Sequence, residues 1–240
     1  MHRFANPARF MRLSGVVLPW VAAASALVLG AGLYLSLFVA PPDYQQGESV
    51  RIMFVHVPAA VMAMGVYALM ALASAVALIW RHPLADIAAQ EAAPIGAGFT
   101  LICLVTGSLW GKPMWGTWWV WDARLTSVLV LFFLYIGYLA LINAFDDAYR
   151  GGRAGAILAL VGVVNLPVIK FSVDWWNTLH QPASIVRMGG PAIDKSMLMP
   201  LLVMMLGFAL FFVTVHLIRI RAAVLERRLR AQRLDDSVAA

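Results

Sequence analysis

Long apolar runs alternate with short polar connections along the 240-residue chain. A helix that crosses a bilayer needs about 20 predominantly apolar residues, and six runs are of that order, although the fifth is short. The pattern predicts an all-α, polytopic membrane helix bundle with about six transmembrane helices in a single membrane domain covering residues 1–240. The predicted spans are approximately residues 15–40, 52–80, 92–110, 125–145, 155–171 and 197–218.

Composition supports a protein whose main solvent is lipid. The chain is 62% hydrophobic and only 12% charged, with a mean hydropathy of +0.81, whereas a soluble domain carries about 25% charged residues. The only cysteine, Cys103, lies in an apolar run and has no second cysteine to pair with. We therefore expect it to be a small core residue.

The distribution of positive charge predicts the orientation. Twelve of the 18 Lys and Arg residues fall on the side that holds both termini, and the positive-inside rule places that side in the cytoplasm. Half of these twelve belong to a basic tail at residues 219–240, predicted to be a helix that binds anionic lipid headgroups or a cytoplasmic partner. The connections near residues 41–51, 111–124 and 172–196 then face outward.

The segment at residues 110–127, WGKPMWGTWWVWDARLTS, lies on the predicted outer face and is unusually rich in tryptophan. Its five tryptophans are Trp110, Trp115, Trp118, Trp119 and Trp121. The spacing of Trp115, Trp118, Trp119 and Asp122 predicts one face of a helix. Such a face would offer flat rings to a large planar apolar ligand. The alternative is an ordinary aromatic belt at the membrane interface.

The first half of this segment carries different signals. Gly111, Pro113 and Gly116 interrupt it, which predicts a turn on the membrane surface. Beyond the tryptophans, Asp122 either caps the helix that starts near residue 123 or forms part of a ligand site. Arg124 either reaches the lipid headgroups or binds a ligand carboxylate through paired N–H donors.

Two histidines share the predicted outer face with the tryptophans. His56 lies in FVHVPAA near the outer end of the second span, and His180 lies in DWWNTLHQPAS between spans five and six. A lone histidine at an interface is usually only a hydrogen-bonded polar residue. Two imidazoles beside an aromatic surface would also provide both axial ligands of a haem iron.

Other chemistries lack their motifs. GSLWGK has three residues between its glycines instead of the four of a phosphate-binding loop, and no Ser or Thr follows its lysine. HExxH and GxSxG are absent, and the acidic residues lie in connections, at span ends or in the tail, which disfavours a proton-coupled pump. We expect no nucleic-acid partner.

The tryptophan-rich segment resembles the WWD signature of the proteins that handle haem during cytochrome c maturation. FVHVPAA and WWNTLHQPAS, together with the length and the six predicted spans, make the chain similar to the CcmC family over nearly its whole length. Longer relatives, CcmF and the CcsA-type synthases, share the WWD stretch but carry extra spans and histidines.

The resemblance implies a function. A member of this family lies in the bacterial inner membrane and holds haem b non-covalently on the periplasmic side, through the WWD segment and two histidines, here His56 and His180, as axial iron ligands. It presents the haem to the chaperone CcmE and assembles with CcmA, CcmB and CcmD in an ATP-binding cassette complex. The family's signature residues correspond here to Trp110, Trp115, Trp118, Trp119, Trp121 and Asp122, with Arg124 or Lys112 facing the haem propionates.

The sequence leaves three other functions open. In the first the chain moves haem across the membrane, in the second it attaches haem to CcmE as a lyase-like enzyme, and in the third it is a structural permease subunit. A translocase predicts polar groups inside the spans, and the sequence has few. The sequence does not separate holding haem from assisting its attachment, because orientation alone accelerates reactions.

Overall fold

A computed structural model of the chain describes residues 6–180 and 189–239, so residues 181–188 of the predicted outer connection lie outside the described part. Within those ranges the chain forms helices and turns, and no β-strand. The helices are α1 (Pro7–Tyr34), α2 (Met53–Trp80), α3 (Pro83–Trp115), α4 (Ala123–Asn143), α5 (Ala148–Gly162), α6 (Asn165–Trp175) and α7 (Lys195–Ala239).

Six helical segments are long and apolar enough to cross a membrane. Two of them are extended by short turns, because a π-helical turn follows α1 and a 3₁₀ turn precedes α2, and α5 and α6 together make up a third. The six segments are Pro7–Val39, Glu48–Trp80, Pro83–Trp115, Ala123–Asn143, Ala148–Trp175 and Lys195–Ser237. The predicted all-α membrane bundle with six spans is confirmed, and the chain is a multi-pass membrane protein.

Helix α3 begins well before its predicted apolar span, which was expected to start near residue 92. Its first turns carry Asp86 and Glu91, which hydropathy assigns to a connection. Both carboxylates pair with arginines of α7, Asp86 with Arg227 at 3.0 Å and Glu91 with Arg219 at 2.8 Å. The charged residues are therefore helical because a neighbouring helix supplies their partners.

Tyrosines fill the middle of the bundle. Helix α2 packs along α3, and α4 packs along α5, and the side chains of Tyr67, Tyr135 and Tyr138 are fully buried between them. The Tyr135 hydroxyl donates to the Ala63 carbonyl at 2.8 Å. A Cβ atom at Gly96 would overlap the Tyr135 ring, so small residues let these helices approach closely, as is common in membrane bundles.

The fifth span is broken in its middle. Helix α5 ends at Gly162, and α6 begins at Asn165, whose side-chain amide donates to the Ser127 carbonyl of α4 at 2.8 Å. The helical segment Ala148–Trp175 is longer than the predicted apolar run, because Arg150 and Arg153 near its start and Asp174 near its end lie within the helices. The break places α6 beside the first turns of α4.

The two ends of the bundle differ. At one end, the C-terminal part of α7 packs on the start of α1, where Arg221 donates to the Met11 carbonyl at 2.6 Å and to the Ser14 hydroxyl at 2.8 Å. At the opposite end, the start of α2, the end of α3, the start of α4 and the end of α6 come together. We call this second region the site end.

Candidate functional site

His56 is the fourth residue of α2 and is held by α3. Its Nδ1 atom is 3.1 Å from the Cys103 carbonyl oxygen and 3.1 Å from the Thr106 hydroxyl oxygen. The Thr106 hydroxyl donates its proton to the Ile102 carbonyl at 2.6 Å, so it accepts from His56. Because Nδ1 faces two acceptors, it carries the proton, and Nε2 keeps its lone pair in the neutral ring.

The His56 ring occupies space left by a glycine. A Cβ atom at Gly107 would lie 2.9 Å from Cε1 of His56, closer than real side chains approach one another. The Trp110 ring meets the imidazole edge to face, with ring centroids 5.7 Å apart. The close packing of α2 on α3 therefore fixes the His56 ring from two sides.

Trp110 also joins the first connection to the site end. Its indole N–H donates to the Gln46 side-chain oxygen at 2.9 Å. Gln46 belongs to a tight turn in which the Asp43 carboxylate accepts the backbone N–H groups of Gln45 and Gln46. The loop between α1 and α2 therefore lies over the last turns of α3.

The tryptophan-rich segment has a different shape from the predicted one. Residues 110–115, expected to form a turn, are the last turns of α3, which ends at Gly116 with a left-handed φ of 75°. The helical face predicted for Trp115, Trp118, Trp119 and Asp122 is wrong, because residues 117–122 are not helical. Gly116 is the physical reason, since it ends the helix in a conformation that side chains rarely adopt.

Short-range hydrogen bonds fold the non-helical part back on α3. The Ser108 hydroxyl donates to the Trp118 carbonyl at 2.8 Å, and the Thr117 hydroxyl donates to the Trp119 carbonyl at 3.0 Å. The Lys112 ammonium donates to the Gly116 carbonyl at 3.0 Å and lies 5.9 Å from the centre of the Trp118 ring. Lys112 is therefore occupied within the segment itself.

The five tryptophans fall into two groups. Trp110, Trp115 and Trp119 are half-buried, whereas the exposed fractions of Trp118 and Trp121 are 54% and 76%. Trp119 and Trp121 meet edge to face at 5.5 Å. The segment thus has an inner group in contact with the bundle and an outer group open to its surroundings.

Asp122 has two roles, one for each carboxylate oxygen. Oδ1 accepts the Leu125 backbone N–H at 2.7 Å, which makes Asp122 the N-cap of α4 and confirms the capping alternative. Oδ2 lies 3.6 Å from Nδ1 of His180, an ion-pair distance that is longer than a full hydrogen bond. The carboxylate is only 5% exposed, so capping and the approach to His180 coexist in one buried group.

His180 reaches the site from the connection that follows α6. Its ring meets the Trp115 ring edge to face at 5.1 Å, and its backbone N–H donates to the Thr178 hydroxyl at 3.1 Å. Burial lowers the pKa of His180 below its ordinary value, while the Asp122 carboxylate acts in the opposite direction. The lowered pKa favours the neutral ring near pH 7, which is the form that binds metals.

Arg124 connects α4 to α6. Its Nε donates to the Ser172 hydroxyl at 3.1 Å, and its Nη2 donates to the carbonyls of Lys170 and Ile169 at 3.3 and 3.4 Å. These contacts lie in the last turns of α6, immediately before the connection that carries His180. Arg124 therefore braces α4 against α6. The sequence had predicted contact with lipid headgroups or with a ligand carboxylate, and not this role.

The predicted ligand residues do come together at the site end. The His56 ring meets Trp110 and the His180 ring meets Trp115, and both tryptophans lie in the last turns of α3. Among the described residues no group of three or more His, Cys, Asp or Glu side chains could hold a bare metal ion. The arrangement offers two nitrogen ligands and aromatic rings, which suits a metal that brings its own equatorial ligands.

Polar atoms without partners concentrate in the same place. Within the described ranges, six buried side-chain polar atoms lack a hydrogen bond, and three of them belong to this site. These three are Nε1 of Trp119, Oδ2 of Asp122 and Nδ1 of His180. Since native proteins pair nearly all buried polar groups, this concentration indicates a functional site.

Four residues that contact the site residues were not predicted from the sequence, namely Gln46, Thr106, Gly107 and Ser172. Each acts through a residue that is distant in the chain but adjacent in the bundle. The only signal in the sequence was the placement of Thr106 and Gly107 about one helical turn before Trp110.

Comparisons with known proteins identify the family of the chain. The family model described as "Heme exporter protein C", CcmC, matches residues 1–235. Heme exporter protein C of Bradyrhizobium diazoefficiens is 61% identical over 227 residues, which cover 95% of this chain and 86% of that protein.

Two further relatives carry the same name. Heme exporter protein C of Escherichia coli K12 is 52% identical over 225 residues, covering 94% of this chain and 91% of that protein. The Haemophilus influenzae protein is 50% identical over 226 residues, covering 94% and 92%. The chain belongs to the Heme exporter protein C family, CcmC.

Proposed function

We propose that the chain binds haem non-covalently at the site end and delivers it to the haem chaperone CcmE during cytochrome c maturation. The names of its relatives support a role in haem handling. Haem is here the cargo of the protein, held transiently between arrival and transfer. The proposal places the site end at the periplasmic face of the inner membrane, with both termini in the cytoplasm, as the charge distribution predicts.

One observation carries this proposal. Both histidines face the protein through Nδ1, His56 toward a carbonyl and a hydroxyl of α3 and His180 toward a carboxylate. This leaves Nε2 of each ring as the nitrogen for iron. Ligating histidines usually direct their other ring nitrogen at such an acceptor, so each ring would have its Nε2 available to bind haem iron.

The remaining site residues fit the other parts of haem. Trp110 and Trp115 contact the two imidazoles and would flank the macrocycle, with Trp119 beside them. Trp118 and Trp121 are exposed and provide an open edge toward the chaperone. Asp122 and Arg124 hold the framework around His180, while binding of the propionates by Arg124 or Lys112 remains a prediction.

Delivery from one face is favoured over passage through this chain. The interior between the two ends is filled by fully buried side chains, including Tyr67, Tyr135 and Leu131. A route for haem through the described part of the chain would have to displace this packed core. We place CcmA, CcmB and CcmD in the same membrane complex as this chain.

Spectroscopy of the purified protein tests the proposal. Protein from haem-replete cells is expected to show a Soret band and a low-spin spectrum, and His56→Ala and His180→Ala are each expected to weaken haem retention and perturb that spectrum. His82→Asn is the matched control, because His82 caps α3 at the opposite end through Ala85 and Asn also caps helices.

The same variants test delivery. Co-expressed with CcmE, each of the two site variants is expected to yield less haem-loaded CcmE than the control does. Wild-type spectra from both single variants would exclude the two-histidine site. A colourless wild-type protein would instead indicate that the tryptophans form only an interfacial belt.

A further inference from the structure

We infer that Asp122 is a positioning residue that holds the His180 ring in the Nδ1–H tautomer and so directs its Nε2 lone pair to the ligand. The inference rests on the proposed function in that the ligand is haem iron. It goes beyond that function by giving the acidic residue of the tryptophan-rich segment a defined chemical task.

The position of Asp122 is fixed independently of His180. Its Oδ1 caps α4 through the Leu125 N–H at 2.7 Å, and this bond sets the orientation of the whole carboxylate. Oδ2 is thereby directed away from the helix, toward Nδ1 of His180 at 3.6 Å. A small shift of either side chain would convert this approach into a hydrogen bond, as commonly happens when a ligand completes a site.

The two facing atoms determine the tautomer. Both are buried, and neither has a hydrogen-bond partner elsewhere in the described part of the chain. An ionised carboxylate only accepts hydrogen bonds, whereas a neutral imidazole has one N–H donor and one acceptor nitrogen. Only a proton on Nδ1 satisfies both atoms, and that proton leaves Nε2 unprotonated.

The ring has little freedom to turn away. Trp115 packs edge to face against it at 5.1 Å, and the Thr178 hydroxyl holds the His180 backbone N–H at 3.1 Å. His56 is held in the same tautomer by different groups, the Cys103 carbonyl and the Thr106 hydroxyl. The Asp122 carboxylate therefore fixes the tautomer of His180, whereas groups of helix α3 fix the tautomer of His56.

Two capping variants separate positioning from capping. Asn and Ser both replace Asp well as N-caps. In Asp122→Asn, the amide oxygen keeps the cap and the NH₂ group donates toward Nδ1, which favours the Nε2–H tautomer and blocks that nitrogen. In Asp122→Ser, the cap remains but the side chain is too short to reach His180, so the tautomer is left free.

Haem affinity is therefore expected to be highest in the wild type, lower in Asp122→Ser and lowest in Asp122→Asn. We measure haem affinity by titrating the purified apoprotein in detergent with haemin, and expect Asp122→Asn to lose about 10- to 100-fold, as for other residues that orient metal ligands. A purely structural role predicts the opposite order of the two variants, because Asn has the shape of Asp.

A second measurement needs no haem. Nitrogen chemical shifts of ¹⁵N-histidine-labelled apoprotein report the tautomer of each ring, and His180→Ala identifies the His180 signal. The Nδ1–H form in the wild type and the Nε2–H form in Asp122→Asn support the inference. An unchanged tautomer, or haem affinity within about twofold of wild type in Asp122→Asn, overturns it.

Results that contradict the proposed function differ from results that contradict the role of Asp122. If His180→Ala binds haemin with wild-type affinity and spectrum, His180 is not a ligand, whatever Asp122→Asn does. If His180→Ala loses affinity but Asp122→Asn does not, the function stands and the positioning role of Asp122 is refuted.

Discussion

The two histidines of the site end are held by two different kinds of structure. His56 sits on a helix, and its partners, the Cys103 carbonyl and the Thr106 hydroxyl, lie within one turn of a second helix. His180 sits in a connection, and its ring contacts are Asp122 and Trp115 of the tryptophan-rich segment. One ring is thus fixed by the packing of two helices, the other by two side chains at helix ends, the last residue of α3 and the N-cap of α4.

This difference separates two ways of building a ligand site. Helix packing places His56 with little tolerance for added volume, because neighbouring backbone cannot retreat without moving a span. The environment of His180 depends on a few polar and aromatic contacts that single substitutions remove. We therefore expect steric changes to dominate around His56 and loss of orienting contacts to dominate around His180.

The largest effect is expected from Gly107→Ala. Its Cβ would lie 2.9 Å from Cε1 of His56, so the imidazole must move away from its acceptors on α3. We expect haemin affinity to fall by about 10- to 100-fold, the usual range for groups that orient a metal ligand, measured by titration of the apoprotein.

Gly98→Ala is the matched control for this variant. Gly98 lies on the same helix, and nothing comes within 4 Å of a Cβ atom placed there. Its haem affinity should equal that of the wild type. Wild-type affinity in Gly107→Ala would mean that the His56 side of the site is not rigid, and the comparison would fail.

A somewhat smaller effect is expected when the brace between α4 and α6 is removed. Arg124→Met deletes the hydrogen bonds to Ser172, Lys170 and Ile169, which frees the end of α6 just before the connection that carries His180. A loss of roughly tenfold in haem affinity corresponds to about 1.4 kcal/mol, close to the lower end of the range for one hydrogen bond made by a charged group.

Arg124→Lys distinguishes bracing from charge. A lysine keeps the positive charge but lacks the planar fork that reaches several acceptors at once. We expect it to lose nearly as much affinity as Arg124→Met in the same titration. Near-complete retention by the lysine variant would instead favour contact with a haem propionate, and the bracing interpretation would be wrong.

The next effect tests the division of the tryptophans. Trp115 touches the His180 ring, and an aromatic pair of this kind contributes about 0.5–1.5 kcal/mol beyond burial of area. Trp115→Leu should therefore weaken haem retention several-fold, whereas Trp115→Phe should retain most of it. Leucine suits a bilayer, so membrane insertion should be preserved.

Trp121→Leu is the control for the exposed group. Trp121 is 76% exposed and contacts Trp119 but neither histidine. Retention of haem should remain near wild type, and any loss should appear only in the yield of haem-loaded CcmE. Equal loss of retention in Trp115→Leu and Trp121→Leu would show that the rings act as one uniform surface.

The sequence predicted the spans much better than the site geometry. Apolar runs report burial in lipid directly, so six spans and the all-α class followed from hydropathy. The true start of α3 did not, because Asp86 and Glu91 look like loop residues until Arg227 and Arg219 of α7 are placed beside them. Pairing between distant charges is invisible to a local hydropathy pattern.

The site shows the same limit more sharply. His56, His180 and the tryptophans were identified by residue type and motif, yet the predicted helical face was wrong because Gly116 ends α3 at Trp115. The role of Arg124 and the partners of His56 are contacts across the bundle. Local spacing cannot give them, since they depend on which helix face meets which neighbour.

The smallest effect is expected from Thr106→Val, which probes the His56 side without adding volume. Valine has nearly the shape of threonine but removes the hydroxyl that lies 3.1 Å from Nδ1 of His56. The Cys103 carbonyl, also at 3.1 Å, still accepts the Nδ1 proton, so the tautomer is kept. The expected cost is that of one ordinary hydrogen bond, about 0.5–1.5 kcal/mol, and haem affinity should fall only a few-fold.

Thr106→Ser keeps the hydroxyl and should bind haemin as the wild type does. This pair of variants sharpens the comparison, because the two histidines are predicted to respond differently to the loss of one acceptor. His56 has a second acceptor from a helix backbone, whereas the only acceptor that faces Nδ1 of His180 in the described part of the chain is Asp122. A Thr106→Val loss as large as that of Asp122→Asn would mean that the helix carbonyl does not hold His56, and both imidazoles would then depend on single side chains.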